Sequence, residues 1–304
     1  MSRKNKADLS LVLVTMGWGA SFILSKQVLG ELEVFNFLAL RFLIAFMIAL
    51  VIFIKPMQSI NRQTIKYGLG LGVVLFLGFS IQTFGLSFTS VSKSAFITGL
   101  SVVLVPILLA AVEQKRPEPK ILIGSMTAVL GLGLLTMTGT GQSINLGDVL
   151  TLISAFFFAL HIVGVGAVTG RKASKEFPVQ AVPMAILQIG TVGALSLVLS
   201  FIMETPKLPQ TPSIWFNVAV LALLCTAAAF IVQNVAQQYT TATRTALIYA
   251  MEPVFAAVCG YVLLGEVLGT SALIGAGLIL TGTLISEIPI SLPPKATLDL
   301  IDLE

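Results

Sequence analysis

Apolar stretches of about twenty residues recur along the chain, separated by short polar breaks. At a rise of about 1.5 Å per residue, about 20 residues cross a hydrocarbon core about 30 Å thick. The pattern predicts ten membrane-spanning helices, at 8–28, 34–54, 66–87, 94–113, 120–138, 146–168, 180–202, 213–236, 242–263 and 269–287. The breaks are too short to hold a soluble domain, and in lipid each helix must satisfy its own backbone polar groups. The predicted fold class is an all-α integral membrane bundle.

One span departs from the simple pattern. Residues 246–258, ALIYAMEPVFAAV, set Glu252 and Pro253 side by side at the centre of the ninth helix. Proline has no N–H, so the carbonyl of Tyr249, four residues upstream, loses its helical donor and the helix bends. A carboxyl at that depth costs about 2.5–3.5 kcal/mol if ionised, so such residues usually face the protein interior. Protonation offsets that cost, and so does pairing with Arg41, a basic residue set well inside another span, away from its ends.

Composition agrees with the pattern. The 304 residues are 56% hydrophobic and 11% charged, with mean hydropathy +0.97, whereas soluble domains are about 25% charged. The basic residues then set an orientation. With the N-terminus inside, the cytoplasmic set is Arg3, Lys4, Lys6, Lys55, Arg62, Lys66, Lys115, Arg116, Lys120, Arg171, Lys172, Lys175, Arg244 and Lys295, fourteen of the eighteen. Lys26, Lys93 and Lys207 fall outside. Both termini are expected in the cytoplasm, and the net charge of +4 reads as a topogenic signal. No basic stripe with interleaved aromatics supports nucleic-acid binding. The apolar run after Met1–Lys6 is long for a signal peptide and has no Ala-x-Ala site, so it reads as a retained first helix. Cys225 and Cys259 fall inside spans, where they read as small hydrophobes.

The chain also repeats itself. Residues 81–97, IQTFGLSFTSVSKSAFI, align with 232–248, VQNVAQQYTTATRTALI, pairing Gln82 with Gln233, Thr89 with Thr240 and Lys93 with Arg244. The same shift pairs Gly124 with Gly275 and Gly131 with Gly282. A second shift puts Asp8 on Asp148 and Trp18 on Phe158. Each half holds five spans, and because five is odd the second half enters the membrane inverted. The predicted units are 1–142 and 143–288, followed by a cytoplasmic tail, 289–304. Inverted repeats suit secondary transporters, because two similar halves can exchange conformations around a shared midplane site.

The chain resembles the drug/metabolite transporter superfamily in its ten-helix form with two EamA-type domains. The resemblance is carried by MGWGASF (16–22), LALRFLIA (38–45), TSVSKSAFITGL (89–100), TTATRTALIYAMEPVFAAVCGYVLLGE (240–266) and LIGAGLILTGTLI (273–285). It implies an alternating-access carrier in a cell membrane, of the prokaryotic inner or plasma type, often an exporter of amino acids, metabolites or drugs. It further implies a cavity lined by the first four helices of each half, and a peripheral fifth helix in each half through which two copies could form a homodimer. One departure matters: the first half has Ser101 where the second has Glu252, and its proline, Pro106, comes later.

Candidate site residues follow from polarity and symmetry. Arg41 is either an architectural anchor or a contact for the solute, and its repeat mate is Gln188. Glu252 and Pro253 form a structural kink or a coupling and gating point. His161, the only histidine, is either a satisfied core residue or a proton carrier. Trp18, Phe22 and Phe158 suit an aromatic cavity wall, with ordinary bundle packing as the alternative. Gln82 and Gln233, with Gln237 one turn from Gln233, would face a wet cavity or another helix. Lys93 and Arg244, on Thr/Ser-rich turns at opposite faces, are candidate gates or simply capped, snorkelling side chains. No His/Cys cluster suggests a metal, no cofactor is expected, and no P-loop, Gly-x-Ser-x-Gly or His-Glu-x-x-His motif suggests an enzyme. A small organic solute, with protons as a candidate coupling ion, is the expected partner; a channel or facilitator is the alternative.

Overall fold

The computed structural model of the chain describes residues 1–114, 117–136, 145–170, 178–264 and 269–285. Lys115, Arg116, Arg171, Lys172, Lys175, Glu266, Lys295 and the tail 289–304 lie outside the described residues. Within them, helices begin where the sequence offers an oxygen to an unpaired backbone N–H. Ser2 caps α1 (Arg3–Val28), accepting from Asn5 N at 3.1 Å. The start of α2 (Val34–Ile52) is capped from a distance: the Glu204 carboxylate accepts from Phe35 N at 2.8 Å and Asn36 N at 2.7 Å. After the short α3 (Ile54–Gln58), Asn61 caps α4 (Arg62–Phe88). Ser90 caps α5 (Val91–Gly99), which breaks at Leu100 before α6 (Ser101–Glu113) and α7 (Pro119–Thr136).

The second half follows the same plan. Asn145 and Asp148 form a reciprocal capping box at the start of α8 (Leu146–Thr169), and α9 (Ala181–Met203) follows. Thr211 caps α10 (Pro212–Ala222), which passes through a π turn at Leu223–Ala228 into α11 (Ala229–Ala236). Thr241 caps α12 (Ala242–Tyr249), which breaks at Ala250 and Met251 before α13 (Glu252–Leu264) and α14 (Thr270–Ile285). No strand occurs among the described residues.

The chain is thus an all-helical integral membrane protein. Among the described residues seven helices are long and apolar enough to cross a membrane, counting α5–α6 and α10–α11 as one each. Pro119–Leu134 and Leu273–Ile285 are shorter apolar helices. The ninth predicted span is broken rather than bent, and the fourth is broken at the equivalent place. Pro253 explains the second-half break, because Tyr249 O has no N–H to accept. In the first half Pro106 lies inside α6, past the break, and Leu100 turns its N–H to Ile97 and Thr98.

Packing interleaves the halves: α4 lies against α8 and α9, α2 against α9, and α1 against α11 and α13. The fifth helices of the two halves, α7 and α14, pack on each other. Glycine allows that approach. A Cβ on Gly131 would stand 2.5 Å from Gly275 O, and one on Gly282 would collide with Gly124 O. These four are the two glycine repeat pairs, so the small faces of α7 and α14 are used up within the chain. Their outer faces carry exposed Leu122, Ile123, Met126, Leu273 and Ile274.

Candidate functional site

A cavity opens between the halves, walled by α1, α2, α4, α5 and α6 on one side and α8, α11, α12 and α13 on the other. Its outline takes in about 740 Å³ of space between atoms, open solvent included. Trp18, Phe22, Arg41, Gln82, Phe158, His161, Gln233, Tyr249 and Glu252 all stand on its wall. Pro253 is buried just behind, near Gly99. Lys93 and Arg244 stand away from it, in the first turns of helices α5 and α12 at opposite ends of the bundle.

The aromatic part of the wall is continuous. The Trp18 ring lies 4.9 Å from Tyr249 and 5.5 Å from Phe230, and Phe79 lies 5.2 Å from Phe158. Edge-on and tilted geometries of this kind suit the ring quadrupoles. Of the three successive phenylalanines only Phe158 faces the cavity; Phe156 is exposed on the outside of the bundle. Gly19, beside Trp18, lets α1 approach the start of α13, since a Cβ there would stand 2.7 Å from Ala256 N.

Arg41 binds the π turn through two of its guanidinium N–H groups. Its Nε donates to Thr226 Oγ1 at 2.7 Å and Nη2 to the Cys225 carbonyl at 3.3 Å. Phe42 and Phe79 flank the guanidinium at 5.4 and 5.2 Å. The π turn makes this site. Thr226 donates its hydroxyl to Leu221 O, five residues back, at 2.8 Å. Ala229 N bonds Thr226 O, so it does not serve Cys225 O. That carbonyl is left for side chains and also accepts from Trp18 Nε1 at 2.8 Å. The pairing of Arg41 with Glu252 that the sequence suggested is absent: among the described residues the two form no ion pair. Threonine and a freed carbonyl hold the guanidinium instead.

Deeper on the second-half side runs a buried polar array. His161 Nε2 lies 3.1 Å from Gln188 Oε1, which also accepts from Asn234 Nδ2 at 3.3 Å. An oxygen there requires the proton on Nε2, so His161 is a hydrogen-bonded residue of the wall. Gln237 donates to Ile162 O at 2.9 Å and accepts from Gln233 Nε2 at 3.1 Å. Across the cavity, Gln82 donates to Thr98 Oγ1 at 2.9 Å.

At the two ends of the bundle, repeat symmetry becomes contact. Lys93 Nζ meets Asp148 Oδ2 at 3.1 Å, and Thr89 donates to Asp148 Oδ1 at 2.5 Å. At the opposite face Arg244 Nη2 meets Asp8 Oδ2 at 2.9 Å, and Thr240 donates to Asp8 Oδ1 at 3.0 Å. Each pair joins a turn of one half to the first helix of the other. The second pair is an ion pair without an aligned hydrogen bond at Asp8 Oδ2. Sequence reasoning paired Asp8 with Asp148 but did not see them as partners of the basic turns. It also missed Thr226, Phe79 and Phe230; a polar residue within an apolar run was the only visible signal for the first.

Residues 5–137 and 145–287 match the EamA-like transporter family. A protein of Archaeoglobus fulgidus named as an uncharacterized transporter is 30% identical over 280 residues, 92% of this chain and 85% of that protein. The Bacillus subtilis protein named as uncharacterized transporter YyaM is 25% identical over 304 residues, 95% of this chain and 97% of its own. A solved crystal structure shares the fold, with TM-score 0.75 and 17% identity over 93% of this chain and 96% of that one.

Proposed function

The chain belongs to the EamA-like transporter family, and from that premise we propose that it is a secondary active transporter exporting a small organic metabolite, amino acid or drug-like solute by alternating access. The observation carrying this reading is the pair of latches. Lys93–Asp148 and Arg244–Asp8 are repeat mates, they sit at opposite faces, and one cavity lies between them. A rocking motion of the two units, 1–142 and 143–288, would open one latch while the other holds. Lys93 and Arg244 are then the gate residues. The broken helices α5–α6 and α12–α13 supply the bending points, with Glu252 and Pro253 at one of them.

The basic-residue distribution supports a cell-membrane protein with both termini in the cytoplasm, which puts Lys93–Asp148 at the outer face. Glu252 and His161 are the candidate proton-coupling groups. A homodimer would use the exposed outer faces of α7 and α14, because their glycine faces are occupied by each other. A labelled panel of amino acids, nucleobases, sugars and cationic amines, offered to everted vesicles, tests the reading. Saturable uptake, competed within one chemical class, is expected. Uptake that rises linearly with concentration for every compound would contradict a carrier and favour a channel.

A further inference from the structure

We propose that the second-half wall of the cavity is an amine subsite, in which Gln233, Tyr249 and Glu252 receive the protonated amino group of a solute whose apolar body lies against Trp18, Phe22 and Phe158. The inference rests on the cavity being the transport site, as argued above.

It comes from an imbalance of hydrogen-bonding groups. Gln233 Oε1 and Tyr249 Oη are buried and have no partner among the described residues. The Glu252 side chain, also buried, has no hydrogen-bond or ion-pair partner there. The orientation of Gln233 is fixed by its neighbours. Gln237 must present its amide nitrogen to Ile162 O, so its oxygen faces Gln233 and takes that residue's N–H. The end left over on Gln233 is therefore the carbonyl oxygen, an acceptor. His161 adds to the same side, because Nε2 carries the proton toward Gln188 and leaves Nδ1 an acceptor. Arg41 already has Thr226, Cys225 and two aromatic faces for its guanidinium. What the wall lacks is a donor with more than one N–H and a positive charge.

A protonated primary amine fits that deficit. It brings three N–H groups for a carboxylate, an amide oxygen and a phenol oxygen, and its charge is favoured by the rings of Tyr249 on that wall and of Trp18, packed 4.9 Å from it across the cavity. A carboxylate placed there would find one donor, the Tyr249 hydroxyl, and would face the Gln233 oxygen and the Glu252 carboxylate, while a neutral alcohol could fill one acceptor.

The test uses the full chain with Trp215→Phe, which leaves Trp18 as the sole tryptophan reporter in the cavity. Phenethylamine, 3-phenylpropionate and 2-phenylethanol share one aromatic body and differ in charge. Phenethylamine should change Trp18 emission saturably, with the other two at least about tenfold weaker. Glu252→Gln should weaken phenethylamine about tenfold and leave 2-phenylethanol unaffected, and Gln233→Leu should weaken it a few-fold. Equal or tighter binding of 3-phenylpropionate, or unchanged phenethylamine affinity in Glu252→Gln, would overturn the subsite. If Glu252→Gln does not fold, the charge series on the parent protein decides alone. Carboxylate preference together with saturable vesicle uptake would sink the amine subsite and leave the transport reading standing; tight amine binding with no saturable uptake of any compound would do the reverse.

Discussion

Replacing Asp148 with asparagine should open one face of the protein, by an amount the contacts define. The Asp148 carboxylate accepts from Thr89 Oγ1 at 2.5 Å, Lys93 Nζ at 3.1 Å and Asn145 N at 3.1 Å. Asparagine keeps the shape and one acceptor but loses the charge. Hydrogen bonds to charged groups contribute about 1.5–3 kcal/mol, and exposed ion pairs less than about 1. The side chains of Lys93 and Asp148 are 25% and 9% exposed, so this pair lies between those limits. A loss of about 1–2 kcal/mol from the state with this face closed shifts its equilibrium by about 5- to 30-fold. The assay places a single cysteine at Ser25, on the cavity wall near the same end of α1, in a Cys225→Ala, Cys259→Ala background. A membrane-impermeant maleimide should label Asp148→Asn about 5- to 30-fold faster from that face. Asp8→Asn should not accelerate it, and should raise labelling from the opposite face. Equal labelling in both variants, or a lowered melting temperature without any change in labelling, would refute the latch.

Other changes probe the parts around the cavity. Thr226→Val leaves a buried guanidinium N–H without its acceptor and should cost about 1.5–3 kcal/mol, read as a lower melting temperature in detergent, while Thr226→Ser retains the bond and the stability. Gly131→Leu and Gly282→Leu should each destabilise by about 1–3 kcal/mol through overpacking of α7 on α14; a melting temperature equal to that of the parent would mean the two helices are not in contact. Glu252→Gln should abolish any stimulation of uptake by a pH gradient, and full stimulation in that variant would remove Glu252 as the coupling group.

The helices were legible because lipid leaves a membrane chain few choices, and the lengths of the apolar runs follow the membrane rather than local propensity. The repeat also located the turns at Lys93 and Arg244, and the wall positions of Trp18 and Phe158. What it did not reveal was contact across the inverted halves. Asp8 and Asp148 were visible as mates of each other, yet each is the partner of the other half's basic turn. Arg41 looked like the partner of Glu252 because it sits deep within another span, away from the span ends where the other basic residues fall. The π turn decides otherwise: Thr226 and the Cys225 carbonyl hold the guanidinium, and an i−5 hydrogen bond has no signature in apolar periodicity. The break at Leu100 was equally hidden, since no proline stands at that position.

Counter-transport in proteoliposomes tests the central claim most directly. Vesicles preloaded with an unlabelled solute that competes in the panel should take up the labelled form several-fold faster than empty ones, because the loaded carrier returns across its cavity faster than the empty one. Uptake that is indifferent to the solute inside, and that does not saturate outside, would contradict alternating access and leave the two latches as structural ties.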